Sequence, residues 1–107
     1  ANREALGYPP FSRLGRIVCE GAEADRVRGE AMARAEILRG RGGAGVQVLG
    51  PAAAPIERIQ NRWRWHTLVK FPRHARDEEV EALFAPALEK KSTKVRLLLD
   101  IDPVAVL

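Results

Sequence analysis

The chain has 107 residues, of which 46% are hydrophobic, and this suffices for the core of one ordinary domain. Its net charge is +4, and its single cysteine excludes a disulfide framework and a cysteine-based zinc site. No apolar run reaches the roughly 18 residues that span a bilayer, and the opening residues carry no apolar signal core. We therefore expect a soluble, cytoplasmic protein without a membrane partner.

The chain opens with residues that favour neither a helix nor a strand. Pro9 and Pro10 lack amide hydrogens and hold Tyr8 in extended geometry. We therefore expect residues 1–11 to form a lead-in arm and residues 12–107 to form a single domain. The run RLGRIVCEG then predicts a first strand that ends at Gly21, in which Cys19 is a small buried hydrophobe.

An amphipathic helix is predicted from Ala22 to about Arg39, because the apolar residues there change to the helical period. The glycines of GRGGAG then favour a helix end and a turn. The predicted buried stripe is Val27, Ala31, Ala35 and Leu38, with Met32 beside it. The residues predicted to lie outside this stripe are Arg26, Arg28, Glu30, Arg34 and Glu36.

A short strand and a hairpin are predicted next. VQVLG is the short second strand, and PAAAP is a stiff extended connector. The runs Ile56–Gln60 and Arg64–Phe71 then flank NRW, which is placed at the hairpin tip. The second run alternates, with Trp63, Trp65, Thr67, Val69 and Phe71 on one face and Arg64, His66, Leu68 and Lys70 on the other.

A second helix from about Asp77 to Lys90 is indicated by acidic residues in its first turn and lysines at its end. Pro86 predicts an interruption of this helix. The run KVRLLLDID predicts the last strand, Lys94 to Asp102. The order β-α-β-β-α-β is the split pattern of ferredoxin-like domains, so we expect an α+β fold with a four-stranded, mainly antiparallel sheet and both helices on one face. The opposite face would be free to bind something.

The sequence contains none of the common catalytic motifs: no phosphate loop, no GxGxxG after a strand, no HExxH and no GxSxG. His66 and His74 match no helical spacing of metal ligands, because Pro72 lies between them. Asp100 and Asp102 share a face of the last strand, where a solvated strand end is favoured over acid-base chemistry or a cation site. We expect no catalytic residue, metal site or cofactor in this fragment.

The positive charge is concentrated between Pro55 and Arg76. This window carries six arginines and lysines against Glu57 alone, and the rest of the chain is nearly neutral. Arginine binds phosphate and tryptophan offers a stacking face to any base, so the window favours single-stranded or distorted nucleic acid, although an acidic peptide fits the same charge. Strand parity favours a core position for Trp65. For Trp63 the sequence favours neither a core position nor a stacking surface for a base.

Three blocks carry a resemblance to a known family: ALGYPPF, VLGPAAAPIERIQNRWRWHTLVKF and LLLDIDPVAVL. In this order they resemble the C-terminal domain of the primosomal protein N′ family of bacterial replication-restart helicases, and they span nearly the whole chain. The resemblance implies a fold similar to that of a small ribosomal-subunit protein. Where the family often has tyrosine before the RW pair, this chain has Trp63, which keeps an aromatic ring.

The resemblance also implies a function. It implies a domain that binds single-stranded or forked DNA with little sequence preference, within a 3′-to-5′ helicase that recognises abandoned forks and helps to reload the replicative helicase. ATP with magnesium, and zinc, are implied for other domains only, so no enzyme activity is expected of this fragment. The implied partners besides DNA are single-stranded-DNA-binding protein, other primosome proteins and the helicase lobes of the same chain.

Two hypotheses for the basic window remain open. In the first it contacts DNA, and the residues assigned to DNA are Arg58, Arg62, Trp63, Arg64, Trp65, His66 and Lys70. In the second, the same patch or the neighbouring Arg73 and Arg76 dock the acidic tail of single-stranded-DNA-binding protein or the helicase lobes. Asp100, Asp102 and Pro103 belong to the last block, where we expect them to end the strand and pack the terminus.

Overall fold

The computed structural model describes residues 12–43, 45–89 and 93–103. Its elements are β1 (Ser12–Gly21), α1 (Ala24–Arg39), β2 (Gln47–Ile59), β3 (Arg62–Pro72), α2 (Asp77–Phe84), a 3₁₀ turn (Ala85–Leu88) and β4 (Val95–Ile101). The predicted order of strands and helices is confirmed. The predicted lead-in arm, residues 1–11, lies outside the described residues.

The four strands form one antiparallel sheet in the order β2-β3-β1-β4. The central strand β1 pairs with β3 along its whole length and with β4 from Gly15 onward. Because side chains alternate along a strand, the odd-numbered residues of β1, β3 and β4 face the helices and the even-numbered residues face away. The predicted α+β sheet with its helices on one face is therefore confirmed.

The hydrophobic core lies between this sheet and the helices. The four predicted stripe residues of α1 are confirmed as buried, because each is at most 1% exposed. The prediction that Met32 lies beside this stripe is wrong, because Met32 is 54% exposed. Phe84 at the end of α2 packs against Phe71 of β3, with ring centroids 6.0 Å apart. A Cβ atom built on Gly15 would lie 2.4 Å from Cε2 of Phe84, so glycine lets this ring lie directly on the central strand.

The prediction that Arg34 lies outside the buried stripe is wrong, because Arg34 is only 5% exposed. Its Nη1 atom donates to the carbonyl oxygen of Ala87 at 3.2 Å and also to that of Glu89, and its Nη2 atom donates to Glu30 Oε2 at 3.0 Å. A long guanidinium side chain can thus be buried where it satisfies the carbonyl groups of a neighbouring turn. The predicted interruption at Pro86 is confirmed, since α2 gives way there to the 3₁₀ turn.

β2 is one irregular strand, so the prediction of a short strand followed by a separate connector is wrong. Its register with β3 shifts between Leu49 and Ala52 and again between Ala53 and Arg58. The prolines of PAAAP are tolerated because β2 lies at an edge of the sheet, where one side of the strand needs no partner. The strand therefore continues through the segment that its prolines marked as a connector.

The predicted hairpin is confirmed, but its tip is one residue earlier than predicted and does not include Trp63, which lies within β3. The reversal occurs at Gln60 and Asn61, whose φ angles are +52° and +64°. Two consecutive residues with positive φ make the tight turn whose twist matches that of paired strands.

The expectation that the face opposite the helices is free is wrong for its centre. Arg16, Val18 and His66 are 3%, 1% and 9% exposed. The register places His66 and Leu98 on either side of Val18, so larger side chains flank the smallest one. Among the described residues, no helix combines the length and the apolar character needed to cross a bilayer.

Candidate nucleic-acid interface

The β2–β3 hairpin presents two arginines at its turn. Gln60 and Asn61 form the loop, and Arg62 begins β3 opposite Ile59. Arg58 lies on the other side of the loop, and both arginines are exposed. The central strand β1 ends before it reaches these residues, so the turn extends beyond the middle of the sheet.

Arg58 lies over the ring of Trp63. Its guanidinium carbon is 4.9 Å from the ring centroid, which is within the range of a cation–π interaction. Its Nη2 atom also donates a hydrogen bond to Asn61 Oδ1 at 3.2 Å. These two contacts hold the charge of Arg58 at the turn while the residue stays exposed.

Both tryptophan rings lie on the helix side of the sheet. Trp63 lies opposite Gly21 and Trp65 opposite Cys19, and both rings are half-buried against the hydrophobic core. The favoured core position of Trp65 is therefore confirmed. Since Arg58 lies over the Trp63 ring, that face of the ring is covered in this structure.

Arg64 lies in a row of alternating charge on the face away from the helices. The strand register places Glu20 between Arg64 of β3 and Arg96 of β4, at 3.8 Å and 3.6 Å from their nearest nitrogens. Arg64 is 8% exposed and donates from Nη1 to the carbonyl oxygen of Ile56 at 2.9 Å. It thus connects β1 to the irregular part of β2, whereas the side chain of Arg96 is 67% exposed.

Arg16 and His66 form a buried pair on the same face. Arg16 Nε donates a hydrogen bond to His66 Nδ1 at 3.0 Å, and Asp100 Oδ2 lies 3.9 Å from Arg16 Nη1. An imidazole that accepts at Nδ1 is neutral. Burial lowers the pKa of His66, and the charges of Arg16 and Arg64 lower it further. Burial and the charge of Arg64 also lower the pKa of Arg16.

The basic window is divided between two ends of the molecule. Arg58 and Arg62 lie where β3 begins, whereas Arg73 and Arg76 are exposed in the loop after β3 ends. The 11 residues of β3 separate the two groups by about 35 Å. Lys70, half-buried on the face away from the helices, lies between them. The expectation that Arg73 and Arg76 lie beside the other basic residues is therefore wrong.

An open cleft lies next to this second group. It has a volume of about 290 Å³, and its walls include Val46, Phe71 and Leu83. Arg41, His74 and Glu79 line the same cleft. Arg76 does not line the cleft but pairs with Glu79, its Nε atom lying 3.0 Å from Glu79 Oε1. The cleft thus combines apolar walls with basic groups and one carboxylate.

Asp102, in the last block of the sequence, has the expected structural role. The Oδ2 atom of Asp102 accepts hydrogen bonds from Nε and Nη2 of Arg13 at 3.2 Å and 2.9 Å. Its Oδ1 atom accepts from the backbone N–H of Leu14 at 3.2 Å. Asp102 has a φ of +50°, so the chain turns at this residue immediately after β4. Pro103, the next residue, is half-buried.

The sheet brings two basic residues that were not predicted as site residues, Arg16 of β1 and Arg96 of β4, onto the face away from the helices. Their positions contained the signal: Arg16 precedes the core residue Ile17 and Arg96 follows the core residue Val95, so each arginine points to the face opposite its core neighbour. Within the ranges that the structure describes, no three His, Cys, Asp or Glu side chains are grouped closely enough to hold a metal ion.

The chain is similar in sequence to several known proteins. The replication restart protein PriA of Haemophilus influenzae is 28% identical over 94% of the chain and 14% of its own length. The probable replication restart protein PriA of Deinococcus radiodurans is 32% identical over 94% of the chain and 10% of its own length. The replication restart protein PriA of Synechocystis sp. is 33% identical over 97% of the chain and 12% of its own length.

The chain therefore spans a small part of each of these relatives, between 10% and 14% of their length. A family model described as the primosomal protein N C-terminal domain matches residues 4–104, which includes the whole sheet, both helices and the basic turn. With nearly every residue covered by that match, the chain belongs to the primosomal protein N C-terminal domain family.

Proposed function

We propose that this chain is the DNA-binding C-terminal domain of a bacterial replication-restart protein, and that the β2–β3 turn contacts DNA phosphates without reading base sequence. The observation that supports this function is the exposure of Arg58 and Arg62 on either side of a tight turn beyond the end of β1. The relatives are named for replication restart, a process whose substrate is DNA.

The geometry of the two arginines suits a branched substrate. Arg58 lies on the helix side of the turn with Trp63, whereas Arg62 belongs to the opposite face of the hairpin. Guanidinium groups bind phosphate through paired hydrogen bonds, and phosphate contacts carry no sequence information. Positive charge on both faces of one turn can contact two backbone segments at a fork. We expect forked DNA to bind more tightly than duplex DNA.

The larger protein is, in this proposal, an ATP-dependent DNA helicase whose nucleotide and zinc sites lie in its other domains. This domain contributes DNA binding and has no enzyme activity of its own. In this proposal the domain also contacts the helicase lobes and other primosome proteins.

A second candidate function is docking of the acidic tail of single-stranded-DNA-binding protein. The observation that favours it is the cleft beside Arg73 and Arg76, where apolar walls lie next to Arg41 and His74. An acidic peptide with an apolar end fits such a surface through charge and burial together. Because β3 separates this cleft from the turn, the two ligands would occupy different ends of the domain.

Fluorescence anisotropy with single-stranded, duplex and forked DNA across a salt series tests the DNA-binding proposal. The double variant Arg58→Ala with Arg62→Ala should weaken binding and make the salt dependence shallower, by about 1.4 in the logarithmic slope on single strands, because two phosphate contacts are lost. The matched control is Arg26→Ala with Arg28→Ala, which removes two exposed arginines from α1. This control should leave the slope unchanged.

Two results would overturn the DNA-binding proposal: no binding of any of the three DNAs by the wild-type chain at low salt, or equal losses in the two double variants. The second function is measured separately with a fluorescent acidic peptide. Arg73→Ala with Arg76→Ala should weaken peptide binding and leave DNA binding intact. A peptide that competes with DNA for the turn would contradict the assignment of two separate surfaces.

A further inference from the structure

The two edges of the sheet differ in how they are protected against further pairing. β2 contains Pro51 and Pro55 and has two register shifts, features that prevent another strand from adding to an edge. At the other edge, Val95–Ile101 contains neither proline nor glycine, and its register with β1 is unbroken. Among the described residues, no strand lies on the outer side of β4.

The side chains of β4 are incompletely covered. Leu97, Leu99 and Ile101 on the helix side are half-buried, and so is Leu98 on the other face. An open recess of about 190 Å³ lies beside Ile101, between this edge and α2. An edge that contains no proline, glycine or register shift and has partly exposed apolar residues can pair with a further strand.

The sequence of β4 is self-complementary about Leu98. In VRLLLDI, apolar residues occupy both ends and both positions next to the centre, and the remaining two positions are Arg96 and Asp100. If two copies pair antiparallel with Leu98 opposite Leu98, Arg96 lies opposite Asp100 of the second copy. The same register places Leu97 opposite Leu99 of the second copy, on the helix side.

Both charged groups are accessible for such a contact. The side chains of Arg96 and Asp100 are 67% and 54% exposed. Opposite charges directly across two antiparallel strands are stabilising. A register shifted by two residues, with Leu97 opposite Leu97, would place Arg96 against Leu98 of the second copy and lose this pair. The charge pattern therefore selects one register.

We propose that β4 pairs antiparallel with β4 of a second copy of this chain, about a two-fold axis at Leu98, which joins two sheets into one continuous sheet. The occupant of this edge is a second copy because the strand complements itself in both charge and apolar pattern. A single pair of short strands buries little surface, so the dimer should be weak, with a dissociation constant in the micromolar range or above.

Oxidative cross-linking of Leu98→Cys tests both the contact and its register. Residues directly opposite in an antiparallel pair have Cα atoms about 4.5–5.5 Å apart, which suits a disulfide. The matched control is Leu49→Cys, another half-buried leucine, on the opposite edge strand. With a mild thiol oxidant, Leu98→Cys should form a covalent dimer about tenfold faster than Leu49→Cys, because its thiols are already paired. Equal rates would overturn the proposal.

Charge reversal provides an independent measurement by sedimentation velocity in the absence of DNA. Arg96→Asp and Asp100→Arg should each weaken association, because like charges then face each other, and the double variant should restore it. Thermal unfolding of each variant identifies any that fails to fold, in which case the cross-linking comparison decides. A wild-type chain that stays monomeric at all concentrations would by itself overturn the proposal. Neither result depends on whether the domain binds DNA.

Discussion

Arg16 Nε donates a hydrogen bond to Nδ1 of His66 across 3.0 Å, and both residues are buried on the sheet face away from the helices. A protonated imidazole cannot accept this bond, and its charge would face Arg16 and Arg64. The pair therefore requires neutral His66, and this links the stability of the fold to pH.

The free energy of unfolding should decrease as the pH falls below about 6.5, the ordinary pKa of histidine. Because the pKa of His66 is lowered in the folded state, the unfolded chain takes up the proton first. Stability is then lost progressively until the pH reaches the folded-state pKa, and it returns as the pH rises. Urea unfolding at several pH values between about 8 and 5 measures this slope.

His66→Gln provides the comparison for this measurement, because glutamine keeps an acceptor for Arg16 and does not titrate. The variant should show a flatter pH profile than the wild-type chain. His74→Gln, which changes an exposed histidine, is the control substitution. The same slope in His66→Gln and in the wild type would show that His66 is not the titrating group.

Gly15→Ala should destabilise the fold by about 1–3 kcal/mol, because the added methyl group would overlap the buried ring of Phe84. Gly29→Ala is the matched control. Gly29 lies within α1, where an added Cβ meets nothing within 4 Å, so this change should stabilise the helix by about 0.5–1 kcal/mol. Chemical denaturation measures both. If Gly15→Ala were as stable as the wild type, the ring could not lie directly on β1.

Arg34→Met should cost about 1–3 kcal/mol of stability, because it leaves the carbonyl oxygen of Ala87 buried without this donor. Methionine keeps much of the side-chain volume, so the loss reports on hydrogen bonding. Arg28→Ala removes an exposed arginine of the same helix, and its effect should stay within about 0.5 kcal/mol. Thermal and urea unfolding of the two variants should differ accordingly, and equal losses would contradict a structural role for Arg34.

Arg62→Ala and Arg64→Ala should separate DNA binding from stability. Arg62 is exposed, so its replacement should weaken DNA binding and leave the melting temperature unchanged. Arg64 is 8% exposed and bonded to the backbone of Ile56, so its replacement should lower the melting temperature. Both variants need anisotropy titrations and thermal melts. A large loss of DNA affinity in a fully folded Arg64→Ala would show that Arg64 itself contacts DNA.

The Cys19 thiol should be unreactive in the folded chain. Burial raises its pKa to about 12, and the residue is 1% exposed. Because the thiolate is the nucleophile, a disulfide reagent at neutral pH should modify Cys19 only as fast as the chain opens. The rate should rise in parallel with the fraction unfolded across a urea series. Rapid modification in the absence of urea would contradict the buried position.

Local patterns in the sequence were sufficient to predict the order of elements, the buried stripe of α1 and the interruption at Pro86. Each of these depends on residues within a few positions of one another, because helical and strand periodicities repeat over short distances. The hairpin was predicted for the same reason. Its tip was misplaced, because two consecutive non-glycine residues with positive φ, Gln60 and Asn61, are not a strong turn signal.

The sequence by itself determined the fold class and the position of the basic turn, whereas only the tertiary structure decided which charges are buried and which remain exposed. Arg64 and Arg62 are two residues apart, yet one contacts Glu20 and Ile56 while the other faces solvent. The partners of a charged group depend on the order of strands in the sheet, which joins residues far apart in the chain, such as Arg13 and Asp102. No periodicity within a single element contains that information.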